Sequence, residues 1–260
     1  MSRYKIFALG CGLAKPQISL SYKSVPDSPP KFRYIYTHET PSTPLLAVAR
    51  DTADVFVGRN LDLSTLSFVV PRVLLMPNMT ALRFDQCRVD DFLSCLRKVD
   101  ELHRSKITYL TIDNTVMTKA QLLEISTLFS KLETLTLVGV QFDFKAKSST
   151  SFSSHTSLKH IEISIKLLTD IDQKIMTSFG EFVAKLFCTV THIDLTSFSS
   201  KSITPLLKGL SKVLKGKVEI LIGQNPIEAT LKSISNFDFK RELSEDLSAW
   251  MTGVVTTSTA

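Results

Sequence analysis

An apolar residue, two variable positions and then an apolar–x–apolar triplet recur along this chain. Copies begin at Met79 (with Leu82 and Phe84), Ile107 (Leu110, Ile112), Leu132 (Leu135, Leu137), Leu158 (Ile161, Ile163) and Val190 (Ile193, Leu195). Another runs from Lys217 through Ile220 and Ile222, and a weaker copy spans 55–60. Each triplet reads as a short strand with one buried face, because side chains alternate across a strand. The central anchors Val55, Leu82, Leu110, Leu135, Ile161, Ile193 and Ile220 are 27, 28, 25, 26, 32 and 27 residues apart. Between strands the apolar spacing switches to three and four. Phe92, Leu93, Leu96, Val99 and Leu102 predict a helix over 90–102, with Asp90 or Asp91 as its cap. Leu122, Ile125, Leu128 and Phe129 predict one over 118–129. Two more are predicted over 171–187 and 204–214, the latter with Pro205 in its first turn.

A strand and then a helix every 25 to 32 residues resembles the leucine-rich repeat superfamily, in its long, helix-bearing, ribonuclease-inhibitor-like class, over residues 52–240. The position that this family fills with Asn or Cys holds Asn60, Cys87 and Asn225, with Thr115 as a passable substitute. Val140, Lys166 and Phe198 fill it poorly, so a continuous ladder of side-chain bonds to the loop backbone is not expected in mid-array. The resemblance implies an α/β solenoid, a horseshoe of about six to seven strand–helix repeats with a concave parallel sheet. The competing architecture is an ordinary α/β domain of regular βα units, which needs the same strands and helices but differs in curvature and strand order.

Residues 1–51 lack the repeat and contain six prolines, which predicts an irregular N-terminal cap. Ile18–Tyr22 alternates like a strand, and Thr43–Asp54 has a helical pattern. Arg3–Tyr22 followed by Leu45–Thr52 resembles a fungal F-box-like domain known for two Glu-x-Arg motifs, although neither motif is intact and the second site reads Asp51-Thr52-Ala53. That resemblance implies a scaffold role, with a ubiquitin-ligase adaptor among the partners. The stretch 145–157 lacks helical periodicity and reads as a polar loop, its Ser/Thr-rich part at 148–157 open to regulation by phosphorylation. Residues 241–260 read as a C-terminal cap, with Trp250 covering the last repeat and a frayed tail from Met251.

The 260 residues are 43% hydrophobic and 22% charged, ordinary values for a globular chain, which argues against wholesale disorder and coiled coil. No run of 18 apolar residues occurs, so no membrane span is expected. Thirty-one basic against 25 acidic residues leave +6, which suggests nucleic acid only where the charge clusters. It clusters at Lys201, Lys208, Lys212, Lys215 and Lys217, with no acid between, and Lys208, Lys212 and Lys215 share one helical face. Arg and aromatic residues, which stacking on nucleic acid favours, are absent from that stretch. Cys11, Cys87, Cys95 and Cys188 are too sparse for a disulfide framework and form no C-x-x-C pair, so reduced thiols in cytoplasm or nucleus are expected.

The sequence contains no phosphate-binding glycine loop, dinucleotide fingerprint, zinc-protease helix or nucleophile elbow. Cys11 between two glycines has no identifiable base. An enzyme, a cofactor and a metal are therefore not expected. Alternation does predict a surface. If the anchors point inward, the positions facing the open side include Arg83, Asp85, Tyr109, Asp113, His160, Glu162, His192 and Asp194. His160 and His192 fall on neighbouring strands, with Glu162 and Asp194 two residues further along. Two imidazoles and two carboxylates on one face suit a partner site, a zinc site or a plain solvated patch. The expected function is protein binding on this face, with the lysine-bearing helix as a nucleic-acid or acidic-surface alternative.

Overall fold

A computed structural model describes residues 3–8, 19–24, 33–37, 46, 50–51, 53–144, 154–165, 172–195, 200–214, 218–222, 237–243 and 249–255. The chain divides into two compact units, Met1–Val116 and Met117–Ala260.

In the first unit the strands are β1 (Arg3–Ala8), β2 (Ser19–Ser24), β3 (Arg33–Thr37), β4 (Val55–Arg59), β5 (Ala81–Asp85) and β6 (Tyr109–Asp113). They pair in chain order, antiparallel from β1 to β3 and parallel from β3 to β6. The N-terminal segment is thus more regular than its prolines suggest, and the expected strand at Ile18–Tyr22 appears as β2. Of the helix expected over 43–54, all but Leu46, Arg50, Asp51, Ala53 and Asp54 lies outside the described residues. The helices are α1 (Leu63–Leu74), α2 (Val89–Arg97) and the short α3 (Glu101–Arg104).

In register, Phe56, Leu82 and Leu110 lie side by side, each at most 2% exposed. The first anchor is therefore Phe56, and Val55, expected in that place, pairs with Ala81 instead. A one-residue slip in a strand moves a side chain to the other face, and Phe56 wins because its ring meets Phe84 edge-on at 6.1 Å. Phe84 in turn stacks on Phe92 of α2 at 4.5 Å, which pins helix to sheet. The same slip moves the Asn/Cys position of this repeat from Asn60 to Leu61. Asn60 takes a left-handed conformation (φ 52°), as do Gln86 (57°) and Asn114 (50°), each four residues after its anchor. Amide side chains tolerate that region, and the turn aims Asn60 N–H at Asp85 O (2.8 Å) and Gln86 N–H at Asp113 O (3.0 Å). One residue later the ladder is as expected: Thr115 Oγ1 donates to Cys87 O (2.8 Å), and the buried Cys87 thiol points to Gly58 O (3.6 Å).

The α1 helix had no sequence expectation, yet Asp62 caps it through Thr65 N–H (2.8 Å) and Leu66, Val69, Val70, Val73 and Leu74 form its buried stripe. Pro71 within it hid that periodicity. Neither Asp90 nor Asp91 caps α2. The N-cap is Arg88, without a side-chain bond, and both aspartates sit in the first turn, where the helix dipole favours them. The helix stops at Arg97, and Leu102, expected in its apolar stripe, is 74% exposed on α3.

In the second unit, β8 (Thr134–Asp143), β9 (His160–Ile165), β10 (His192–Leu195) and β11 (Glu219–Ile222) are parallel neighbours. β13 (Ala249–Val255) runs antiparallel to β11, with β12 (Phe237–Leu243) outside it. The described C-terminal residues form a strand pair, and residues 251–255 are paired where a frayed tail was expected. The Trp250 side chain lies outside what is described. A short β7 (Val116–Thr118) precedes α4 (Lys119–Leu128). The expected helix over 118–129 is α4 with its cap residues Thr118 and Phe129, and a capping box closes its N-terminus: Thr118 Oγ1 accepts from Gln121 N–H, and Gln121 Oε1 accepts from Thr118 N–H. α5 (Gln173–Leu186), capped by Asp172, matches the helix expected over 171–187. α6 (Ser200–Ser211) begins four residues before the expected start, so Pro205 lies inside it rather than in its first turn.

Leu135, Ile161, Ile193 and Ile220 stand in register, each at most 1% exposed. Burying each such side chain contributes about 1.5–3 kcal/mol relative to exposure. Gly139, again four residues after its anchor, takes φ 61° at a bulge, and β8 continues to Asp143 because Val140 and Phe142 are buried. The residues 145–153 of the expected polar loop lie outside the described set. His155 at its end is buried: Nε2–H donates to Phe129 O (2.8 Å), Nδ1 accepts from Leu158 N–H (3.2 Å), and its backbone N–H donates to Leu186 O (2.7 Å). His155 thus joins the α4 cap and the entry to β9 through its ring, and the end of α5 through its backbone N–H.

The chain is α/β with mostly parallel strands in open ladders. Among the described residues, no helix is long and apolar enough to cross a membrane.

Candidate functional site

The anchors of each parallel run are buried while the residues between them are intermediate or exposed. β4 and β5 alternate in this way up to their ends, β9 does so throughout, and β10 repeats the pattern. The outward positions include Arg83, Asp85 and Tyr109 in the first unit and His160, Glu162, His192 and Asp194 in the second, whereas Asp113 is buried.

In the first unit, Arg83 and Tyr109 are half-exposed (52% and 51%). Arg83 Nε lies 2.5 Å from Asp113 Oδ2 on the next strand, and Arg59 Nε lies 3.2 Å from Asp85 Oδ2. Asn114 Nδ2 donates to the other oxygen of Asp85 (3.1 Å). The charges of this face bind one another. Asp113, predicted to face a partner, is 1% exposed, because Arg83 folds across it and the strand end turns it inward. Its Oδ1 is buried without a hydrogen-bond partner. Burial pushes its carboxyl above the ordinary aspartate range, and Arg83 opposes that shift.

In the second unit, His160 pairs with His192 and Glu162 with Asp194, as the repeat predicted. The two imidazoles stack with centroids 6.2 Å apart and planes at 29°. His192 Nε2 lies 3.1 Å from Glu219 Oε2, and its Nδ1 lies 2.8 Å from Thr191 Oγ1. A carboxylate only accepts, so Nε2 carries the hydrogen in this contact. Glu219 was not among the outward residues that the sequence predicted. Its membership follows from the His192↔Glu219 register. Thr134, Thr136 and Ser164 complete the polar surface. Among the described residues, no group of three or more His, Cys, Asp or Glu side chains is arranged to hold a metal ion.

Of the basic patch, Lys208 is exposed on α6, and Lys212 Nζ is bound to Glu181 Oε1 of α5 at 2.7 Å, which holds the Glu181 carboxyl below its ordinary value. Lys215 and the side chain of Lys201 lie outside what is described. Behind these lysines the two helix backbones touch. A Cβ on Gly209 would come within 2.1 Å of Thr177 O, and one on Gly180 within 2.4 Å of Leu206 O.

Compared with known proteins, the chain matches no family model and no curated sequence. Its class rests on its own geometry, an α/β protein of parallel strands with one buried face.

Proposed function

We propose that this chain is a non-enzymatic protein-binding module, a leucine-rich-repeat-like solenoid that takes its partner on the outward face of β8–β11. The one-sided burial of its parallel strands carries this reading. Parallel sheets in doubly wound domains are covered by helices on both faces and read as continuous apolar runs. Here polar side chains alternate with buried anchors, as in a sheet that keeps one face for solvent or a partner. The stacked histidines and the acids beside them form the richest polar group on that face. The wider assembly suggested by the F-box-like resemblance is a ubiquitin ligase in which this chain recognises the substrate.

The lysine-bearing helix has less support as a nucleic-acid surface, since Lys212 is committed to Glu181. The test is recovery of proteins from native extract by wild type and by a His160→Ala, Glu162→Ala, His192→Ala, Asp194→Ala variant. Proteins that bind the first and are lost from the folded second support the reading, and an adaptor among them supports the ligase context. Identical sets refute the site. Retention of RNA or DNA by both, without protein, favours the helix.

A further inference from the structure

Among the described residues His155 is the buried histidine, 5% exposed, and its bonds admit one form of the ring. Phe129 O only accepts, so Nε2 carries a hydrogen (2.8 Å). The backbone N–H groups of Leu158 (3.2 Å) and Ser157 (3.4 Å) only donate, so Nδ1 is bare. The neutral ring satisfies all three groups. The imidazolium does not, because a hydrogen on Nδ1 points at two N–H groups and the buried Leu158 amide loses its acceptor.

The elements packed around the ring do not steady that charge. The α4 cap offers Phe129 O, which the neutral ring already uses. The end of α5 sets the Phe187 ring edge-on at 6.1 Å, and Leu186 O takes the His155 backbone N–H. Thr189 Oγ1 donates to Leu158 O (3.1 Å) and reaches His155 O (3.5 Å), not the imidazole. The titratable groups at these element ends are Lys131 after α4, Lys185 and Cys188 at the end of α5, and Glu133, Lys159 and His160 at the entry of β9. Lys131, Lys185 and Cys188 are exposed, Glu133 is bound to Lys159 (2.9 Å), and His160 stacks on His192. None of them bonds to the His155 ring. The carbonyl ends of α4 and α5 draw positive charge, but they meet Nε2 and the backbone N–H rather than Nδ1. We propose that His155 is an acid-sensitive latch. With Nδ1 bare, the residue ties the entry of β9 to the ends of α4 and α5. Once Nδ1 takes a proton, the bonds from Leu158 and Ser157 break and the segment leading into β9 is released. The latch stands apart from the protein-binding reading, although the strand it releases carries His160 and Glu162 of that face.

The test uses the full isotope-labelled chain from about pH 8 down to about pH 5, the range in which imidazoles ordinarily titrate. Histidine-ring NMR spectra report which nitrogen carries hydrogen, and amide exchange, taken relative to the intrinsic rate at each pH, reports the latch. At the upper end His155 is expected to carry hydrogen at Nε2 and none at Nδ1. As Nδ1 gains its proton, protection of the Leu158 and His155 amides is expected to fall about tenfold or more, while β5 and β6 of the first unit keep theirs. His155→Gln, which takes no proton, is expected to lose the pH dependence, and His160→Gln/His192→Gln to keep it. A hydrogen on Nδ1 at the upper end, a ring that stays neutral throughout, or protection unchanged when Nδ1 is protonated overturns the proposal. So does a pH dependence that survives His155→Gln, or loss of protection across the whole second unit at once. Loss of the dependence in the outward-histidine variant also overturns it, since the proton then belongs to the binding face. Should His155→Gln fail to fold, the wild-type spectra and exchange decide alone.

Discussion

Gly209→Ala tests how the second unit is held together. At the crossing of α5 and α6 the added methyl would sit 2.1 Å from Thr177 O, 2.9 Å from Glu181 N and 3.0 Å from Gly180 Cα. All three are backbone atoms, so no side chain can rotate away, and the helices must part by roughly 1 Å to reach ordinary contact. Overpacking of this kind costs about 1–3 kcal/mol, and rigid neighbours place it at the upper end. Alanine returns about 1 kcal/mol of helix propensity, which leaves a net loss of about 2 kcal/mol. For a unit of this size that lowers Tm by about 4–8 °C. Urea and thermal unfolding followed by far-UV circular dichroism measure it. Gly180→Ala meets Leu206 O at 2.4 Å and is expected to destabilise as well. The double variant should lose less than the sum, because helices already parted accept the second methyl more cheaply. An unchanged or raised Tm for Gly209→Ala refutes the close crossing.

Asp113 gives a pH-dependent prediction. Its folded carboxyl titrates above its unfolded value, so the folded state holds the proton longer, and its contribution to stability falls as pH rises between those two values. Asp113→Asn has no such loss, so its stability relative to wild type should climb across about pH 3–6 in urea titrations, and a decline would contradict the buried carboxylate. His155→Ala strands Phe129 O and Leu158 N–H and is expected to cost about 1–3 kcal/mol per buried group left unpaired, read as a fall in Tm. Cys188 is exposed whereas Cys87 and Cys95 are buried, and burial pushes the Cys87 thiol up. Iodoacetamide followed by peptide mass spectrometry should therefore modify Cys188 in the native protein, and Cys87 and Cys95 only after denaturation.

The register of the parallel strands was legible because their anchors recur at positions that must be buried together. The Leu135, Ile161, Ile193 and Ile220 row, and with it the His160–His192 pair, was readable for that reason. The caps of α4 and α5, Thr118 with Gln121 and Asp172, stand just before apolar stripes but were not read as caps from the sequence. The first anchor was misplaced because 55–57 reads Val-Phe-Val, apolar on both faces, and only the aromatic contacts of Phe56 decide which side is core. Helix α1 was hidden by Pro71, and α6 began early since nothing local marks Ser200 as its start. The burial of Asp113 was illegible because it depends on an arginine thirty residues away. The left-handed turns left a trace that went unread, an Asn, Gln, Asn or Gly four residues after each of four anchors.

The central claim is that β8–β11 bury one face and leave the other open. Single cysteines at 160, 161, 162 and 163 along β9, in a Cys188→Ser background and treated with a maleimide under native conditions, test it directly. The account predicts that His160→Cys and Glu162→Cys label quickly while Ile161→Cys and Ile163→Cys stay protected. Protection of all four would mean that the sheet is covered on both sides, and the proposed binding face would not exist.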